Sequence, residues 1–187
     1  MKRHAEFIFE ALFLKQVQRT GYQYLGTGNE SVAEHVYAVT IIAYLLAKLE
    51  PKANLERLLT MCLLHDLPEA RMGDLNYVQK QYVSANEPKA VHDAIKGLPF
   101  GSEVDEMLAE FNAATTFEAK LANDADQLAL MVDLKTLKEL GYQTPKTWLP
   151  HVEKRLKTET AKNLAKALMQ TPWDQWWLKL FQPQDPT

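Results

Sequence analysis

Apolar residues recur every three or four positions along most of this chain, and no segment alternates apolar with polar residues over the length of a strand. That period predicts an all-α fold. The clearest helix start is Ser31-Val32-Ala33-Glu34, a capping-box form in which the serine hydroxyl and the glutamate carboxylate satisfy each other's free backbone donors. The helix it opens should run to about Leu49 and stop before Pro51. Its stripe of Val32, Val36, Val39, Ile42, Ala43 and Leu46 is the core face, and His35 lies on that stripe. Asn54 is a good cap for the next helix, with Leu55, Leu58, Leu59 and Cys62 turned inward. The same spacing, continued, reaches His65, Asp66 and Glu69.

The remaining segments read in the same way. A first helix is expected over about Ala5 to Gln18, with Phe7, Ala11, Leu14 and Gln18 on one face beside Ile8, Leu12 and Lys15. Arg19 to Glu30 contains Gly21, Gly26 and Gly28 and reads as a loop. Pro68 and Gly73 bracket a change of direction, with Asp74-Leu75-Asn76 opening a turn or short helix. Ser84-Ala85-Asn86-Glu87 followed by Pro88 is a second capping-box form, before helices near Lys89 to Lys96 and Glu103 to Asn112. Thr115-Thr116-Phe117-Glu118 opens a long helix to about Leu140, stopped by Gly141, with Asp126 within its small-residue stripe of Ala122, Ala125, Ala129 and Val132. One further amphipathic helix is expected from Pro150 to about Met169, followed after Pro172 by the tryptophan-rich tail.

At 187 residues the chain fits one domain, which would bury roughly 70% of the surface its unfolded form exposes. The expected organisation is a single domain over residues 1–187, its core at about 7–140 and C-terminal helices over 150–182 packed on it. A net charge of −3 gives no bulk attraction to a nucleic-acid polymer or an anionic membrane. The lone Cys62 allows no intrachain disulfide and reads as a small buried hydrophobe. Glu6 and Glu10 interrupt the first apolar stretch, and no segment reads as the ~20 apolar residues of a membrane span, so a cytoplasmic location is expected.

Three polar positions sit awkwardly on this pattern. A single histidine such as His35 on an apolar stripe is more often a hydrogen-bonded core residue than a ligand. The pair His65-Asp66 is harder to explain, because a carboxylate on a buried stripe needs a positive partner or donors to offset its desolvation. Asp126, among alanines, poses the same problem on another helix. One cation explains all three. Imidazole nitrogens and carboxylate oxygens, with no thiolate, suit a single divalent ion such as Co, Mn, Mg, Zn, Ni or Fe. Such an ion polarises a phosphoryl oxygen and activates water, so hydrolysis is the expected reaction class.

His35, His65-Asp66 and Asp126 resemble the H…HD…D signature of the HD-domain metal-dependent phosphohydrolases. The flanking words Glu30-Ser31-Val32-Ala33-Glu34-His35, His65-Asp66-Leu67-Pro68-Glu69-Ala70 through Gly73-Asp74-Leu75, and Ala125-Asp126-Gln127-Leu128 resemble its 5'-deoxynucleotidase branch. The match covers roughly Phe7 to Leu140. The resemblance implies that Asp126 rather than Asp124 is the last metal ligand, leaving Asp124 as a surface or outer group. It implies that Glu69 and Asp74 are the catalytic carboxylates, and that Arg19 and Tyr22 hold phosphate and screen the sugar. Glu110 also resembles an acidic position of the family, though a solvated helix face explains it equally well. A homodimer is implied too, with the Trp173 to Trp177 tail as a second pointer.

The expected substrate is a small nucleotide, in the first place a deoxyribonucleoside 5'-monophosphate. Hydrolysis of nucleoside triphosphates or pyrophosphorylated nucleotides ranks lower, because Pro68-Glu69-Ala70 follows the His-Asp pair where the guanosine-tetraphosphate hydrolases usually carry adjacent Glu-Asp. A non-catalytic nucleotide- or metal-binding regulator is the alternative of another class.

Overall fold

Local capping chemistry fixes where the helices of this chain begin, and the computed structural model, which describes residues 1–181, shows it residue by residue. In chain order the helices are α1 (Lys2–Leu12), α2 (Gly21–Leu25), α3 (Val32–Leu49), α4 (Leu55–Leu64), α5 (Glu69–Met72), α6 (Glu87–Ile95), α7 (Gly101–Ala113), α8 (Phe117–Glu139), α9 (Pro145–Glu153), α10 (Glu159–Gln170) and α11 (Gln175–Leu178). The fold is all-α. Among the described residues the only extended pairing is an isolated antiparallel bridge between Gln18 and Ser31. At α3 both halves of the capping box are present: Ser31 accepts from the Glu34 amide, and the Glu34 carboxylate accepts from the Ser31 amide at 2.7 Å. Asn54, Thr116 and Thr158 cap α4, α8 and α10 with their side chains.

α8 is the central element, and α3, α4, α7, α9 and α10 all pack against it. Its Ala122 and Ala125 are fully buried beside Leu121, Leu128, Met131 and Leu134, where they meet Val39 and Leu46 of α3 and Leu58 and Met61 of α4. Each leucine removed from water in this way contributes about 2 kcal/mol. Small side chains along α8 let neighbouring helices come close, and the metal-ligand candidates stand at that crowded junction.

Several expectations are corrected. The first helix ends at Leu12 and passes into a 3-10 turn at Phe13–Lys15, with Leu14 buried but Ile8 and Leu12 more than half exposed. The segment from Arg19 to Glu30 is no plain loop, because it contains α2. α4 does not continue through His65 to Glu69: it stops at Leu64, four turn residues follow, and Glu69 begins α5. Asn86, not Ser84, caps α6 by accepting from the Lys89 amide, so Pro88 lies in the first turn of that helix. The single helix expected from Pro150 to Met169 is two, α9 and α10, separated where Lys157 and Thr158 turn their amides to Asp124. No segment reads from sequence as a membrane span, yet α3 is long and apolar enough by composition to cross one. It is instead wedged between α4 and α8 by its buried face.

The tryptophan tail is fastened at its start, where the Trp173 amide donates to Glu139 of α8 at 2.9 Å. Beyond that point Trp173, Trp177 and Phe181 stack edge to face on one another while Trp176 stays 75% exposed. The expected end of the C-terminal helices at residue 182 lies outside the described residues.

Candidate metal centre

Three helices deliver the ligand candidates. His35 lies one turn into α3, directly after its capping box; His65 is the C-terminal cap of α4, with Asp66 next to it; Asp126 faces them from the middle of α8. A ligand atom from each of His35, His65 and Asp126 lies within 4.8 Å of the other two. His35 Nε2 is 2.9 Å from Asp126 Oδ1 and 3.9 Å from Asp66 Oδ2, and the same Asp66 oxygen is 3.2 Å from His65 Nε2. Three of the four side chains named from the sequence therefore converge on one point, and the fourth, Asp66, lies against the two histidines. Phe111 of α7 packs its ring over His65 at 4.9 Å and closes one side.

The donor chemistry fits a cation. His65 Nδ1 is 2.8 Å from the carbonyl of Cys62, an acceptor, so that nitrogen keeps its hydrogen, and once the ring gives up its other proton Nε2 presents a lone pair. His65 Nε2 is buried with no donor to its lone pair, since Asp66 Oδ2, 3.2 Å away, is a carboxylate oxygen that can only accept. A buried polar atom left without a partner is costly, and this one points at two carboxylates. A divalent ion satisfies the lone pair and both acids at once. The Cys62 thiol takes no part: burial, with the charge of Asp126, pushes its pKa well up, and it sits in the apolar core.

The electrostatics of the protein alone carry the same signature. Burial opposes a charge on His65, but Asp66 and Asp126 outweigh it and raise the imidazole to about 9. Glu69 is likewise pushed up to about 9, first by burial and then by the charges of Asp66 and Asp74. Asp126 and Asp66 are held below the ordinary carboxylate range by the neighbouring imidazoles, against the burial that would raise them. The pocket thus concentrates negative charge and takes up protons to offset it. A metal ion would do the same task, and ligands must be deprotonated to bind one.

Arg19 arrives by a different route. The Gln18–Ser31 bridge pins the base of the segment between them, with the Arg19 amide donating to the Glu30 carbonyl at 2.9 Å and the Val32 amide to the Val17 carbonyl. The guanidinium then donates from Nη1 to Glu30 Oε2 at 2.9 Å and lies 2.6 Å from His35 Nδ1. Burial works against its charge, and Asp126, Glu30 and Asp66 more than compensate, so it stays firmly protonated. One nitrogen is committed, and the other donors of the planar fork remain for an anion.

Asp74 bears on this site through its charge, which helps to raise Glu69. Its Oδ2 accepts from the Thr20 amide at 2.6 Å. Gly73 makes this possible by adopting φ +73°, a conformation that L side chains rarely take, at the end of α5. Tyr22 is placed otherwise than the resemblance implied. It is buried, with its hydroxyl bonded to Asp133 and, at 3.2 Å, to Glu30, and that burial and those carboxylates push its pKa well up. It props Glu30 from behind instead of facing the ligand cluster. Gly28 allows the close approach, because a Cβ there would sit 2.9 Å from the Tyr22 ring.

Asp124 is not a surface group. It is fully buried and accepts from the amides of Lys157 and Thr158 at 2.6 and 2.8 Å and from the Thr158 hydroxyl at 2.7 Å. It anchors the start of α10. Glu110 is no solvated helix face either: its carboxylate pairs with Arg57 and, at 2.5 Å, accepts from the Thr116 hydroxyl. Sequence reading assigned no role to Glu30, Thr20, Gln127 or Asp133. Gln127 donates to Asp126 Oδ2 at 2.8 Å and so fixes that carboxylate from its far side. Glu30 and Gln127 carried some signal, as members of the words that end in His35 and that contain Asp126.

Comparison with known proteins agrees with this geometry. Residues 12–169 match the family model described as the HD domain. The chain is 30% identical over 131 residues to the 5'-deoxynucleotidase hdd1 of Schizosaccharomyces pombe, covering 65% of each chain. It is 29% identical over 133 residues to the 5'-deoxynucleotidase HDDC2 of Xenopus laevis, covering 68% of this chain and 65% of that one. The chain thus spans slightly less than two-thirds of the length of these curated relatives. Among solved structures, a conserved hypothetical protein from Pyrococcus furiosus superposes with a TM-score of 0.75 at 28% identity, over 89% of this chain and 99% of that one.

Proposed function

Since this chain belongs to the HD-domain family, we propose that it is a metal-dependent phosphohydrolase releasing phosphate from deoxyribonucleoside 5'-monophosphates. The observation that carries the reading is the unpartnered, buried Nε2 of His65 aimed at Asp66, with His35 and Asp126 closing the set. The curated relatives bear the name 5'-deoxynucleotidase, which supports the substrate class.

His35, His65, Asp66 and Asp126 would hold one divalent ion, which when bound supplies Lewis-acid stabilisation of the phosphoryl charge and a more acidic water. The chain's own groups do the rest. Arg19, held by Glu30, offers its free donors to the phosphate. Glu69, on the first turn of α5, and Asp74 beyond Gly73 handle the protons of the attacking water and the leaving 5'-oxygen. The prop Tyr22 keeps Glu30, and through it Arg19, in register. Residues 1–187 are proposed to act as one domain, a reading supported by the packing of α9 and α10 on α8.

A cytoplasmic homodimer completes the proposal. Tyr37, Ile41, Tyr44 and Leu49 lie exposed along α3, and such an apolar row supports association of two copies. The molar mass in solution checks this.

The test of the activity is phosphate release by metal-stripped protein reloaded with Co, Mn, Mg, Zn or Ni, against mono-, di- and triphosphates of both sugars. Release from deoxyribonucleoside 5'-monophosphates supports the reading. Release from triphosphates alone replaces it with triphosphate hydrolysis, and no release from any of them overturns the enzyme reading.

A further inference from the structure

We propose that Thr20 is a positioning residue that aims Asp74 into the site, so that the neighbouring residues Arg19 and Thr20 set the two halves of one catalytic arrangement. This inference rests on the phosphohydrolase reading above and adds a residue that neither the ligand motif nor its flanking words contain.

Thr20 occupies the position just before α2, where a threonine hydroxyl ordinarily caps the helix. Here it makes no cap bond. The side chain turns away from its own helix to residues 54–59 positions further along the chain. Its hydroxyl oxygen lies 3.1 Å from both Asp74 Oδ2 and the Asp74 carbonyl and 3.2 Å from Gln79 Oε1, and it accepts from Asn76 Nδ2 at 3.0 Å. The backbone amide of Thr20 donates to the same Asp74 oxygen at 2.6 Å. A hydroxyl has a single hydrogen to give, so Asp74 and Gln79 compete for it while Asn76 fixes its lone pair. Asn76 is itself buried and accepts from the amides of Val78 and Gln79, which stiffens the far side of the contact.

The consequence is geometric. Asp74 follows Gly73, a residue at positive φ with open space around it, and its segment has no regular secondary structure of its own. Such a carboxylate needs an external hold to keep one orientation. Thr20 holds Oδ2 with its amide and shares its hydroxyl hydrogen between that oxygen and Gln79, and Oδ1 takes no part in the contact. Arg19, one residue earlier, is fixed through Glu30 to His35. Because one peptide unit links the two side chains, the phosphate-holding arm and the proton-handling carboxylate keep a constant spacing. Misplacing a reacting group by about 1 Å can cost roughly a hundredfold in rate.

The experiment compares Thr20→Val, Thr20→Ser, Asp74→Asn and the double variant Thr20→Val with Asp74→Asn in the metal-loaded full chain, measuring kcat, KM and metal affinity. Thr20→Val should lower kcat roughly ten- to a hundredfold, with KM and metal affinity near wild type, since Arg19 keeps its own support. Thr20→Ser, which retains the hydroxyl, should recover most of that loss. The double variant should be no slower than Asp74→Asn alone, the signature of two residues acting through one. Wild-type kcat in Thr20→Val, additive losses in the double variant, or no recovery in Thr20→Ser would each overturn the proposal. Failure of the underlying reading looks different: the wild-type protein itself would then release no phosphate.

Discussion

Asp124 and Asp126 stand two residues apart on α8, the first fully buried and the second partly so, and their surroundings are opposite in kind. Around Asp124, where α8 meets α10, every neighbour is a donor: two backbone amides and a hydroxyl. Around Asp126, where α8 meets α3 and α4, one oxygen accepts from the Gln127 side-chain amide, and the other neighbours are two imidazoles, a second carboxylate and an arginine. The first carboxylate is complete as it stands. The second belongs to a group with more lone pairs and negative charge than the protein's own donors satisfy, since His65 Nε2 remains without a partner. What separates a structural acid from a ligand is therefore the balance of donors about it. Burial alone does not distinguish them, and Asp124 is the more deeply buried of the two.

That contrast can be broken by substitution. Asp126→Ala should abolish metal-supported phosphate release while the protein still folds, as measured by activity beside a circular-dichroism melt. Glu69→Ala should keep metal binding and lose about 10²–10⁴-fold in kcat, because its contribution is proton transfer. Asp124→Ala is predicted to behave in the opposite way. Its loss strands two part-buried amides and a hydroxyl, so stability in urea should fall by about 2 kcal/mol, with kcat per folded molecule close to wild type. If Asp124→Ala instead loses metal at unchanged stability, the assignment of the two aspartates is reversed. The smallest effect is expected at Ser31→Ala, about 1 kcal/mol of stability from the lost α3 cap, read from the midpoint of urea unfolding. The Glu34 carboxyl is held low by Ser31, so this capping term is present above its ordinary value of 4.5 and fades as pH falls below it.

Most of the helical frame was legible because its signals are local. Ser31 and Asn54 each cap the helix that their neighbours predict, and α8 is capped one residue beyond the Thr115 of the capping-box form, by Thr116. The four ligand candidates were legible for a related reason: a charged or imidazole side chain on an apolar stripe contradicts its surroundings, and the contradiction is visible in one dimension. What could not be read depends on contacts between distant segments. The break between α9 and α10 exists because Asp124, some thirty residues earlier, draws the Lys157 and Thr158 amides to itself. The resemblance assigns Tyr22 to the substrate, whereas its hydroxyl is bonded to Asp133 on α8. The turn after Leu64 likewise escapes a period count that runs straight through to Glu69, because a pattern of apolar positions does not register where hydrogen bonding changes.

The most direct test of the central claim is metal content. Protein stripped with a chelator, reloaded with a divalent ion and desalted should retain a single ion per chain, and His65→Ala should retain none while keeping its helical spectrum. Equal retention by His65→Ala, or no retained ion in the wild-type protein, would contradict the account.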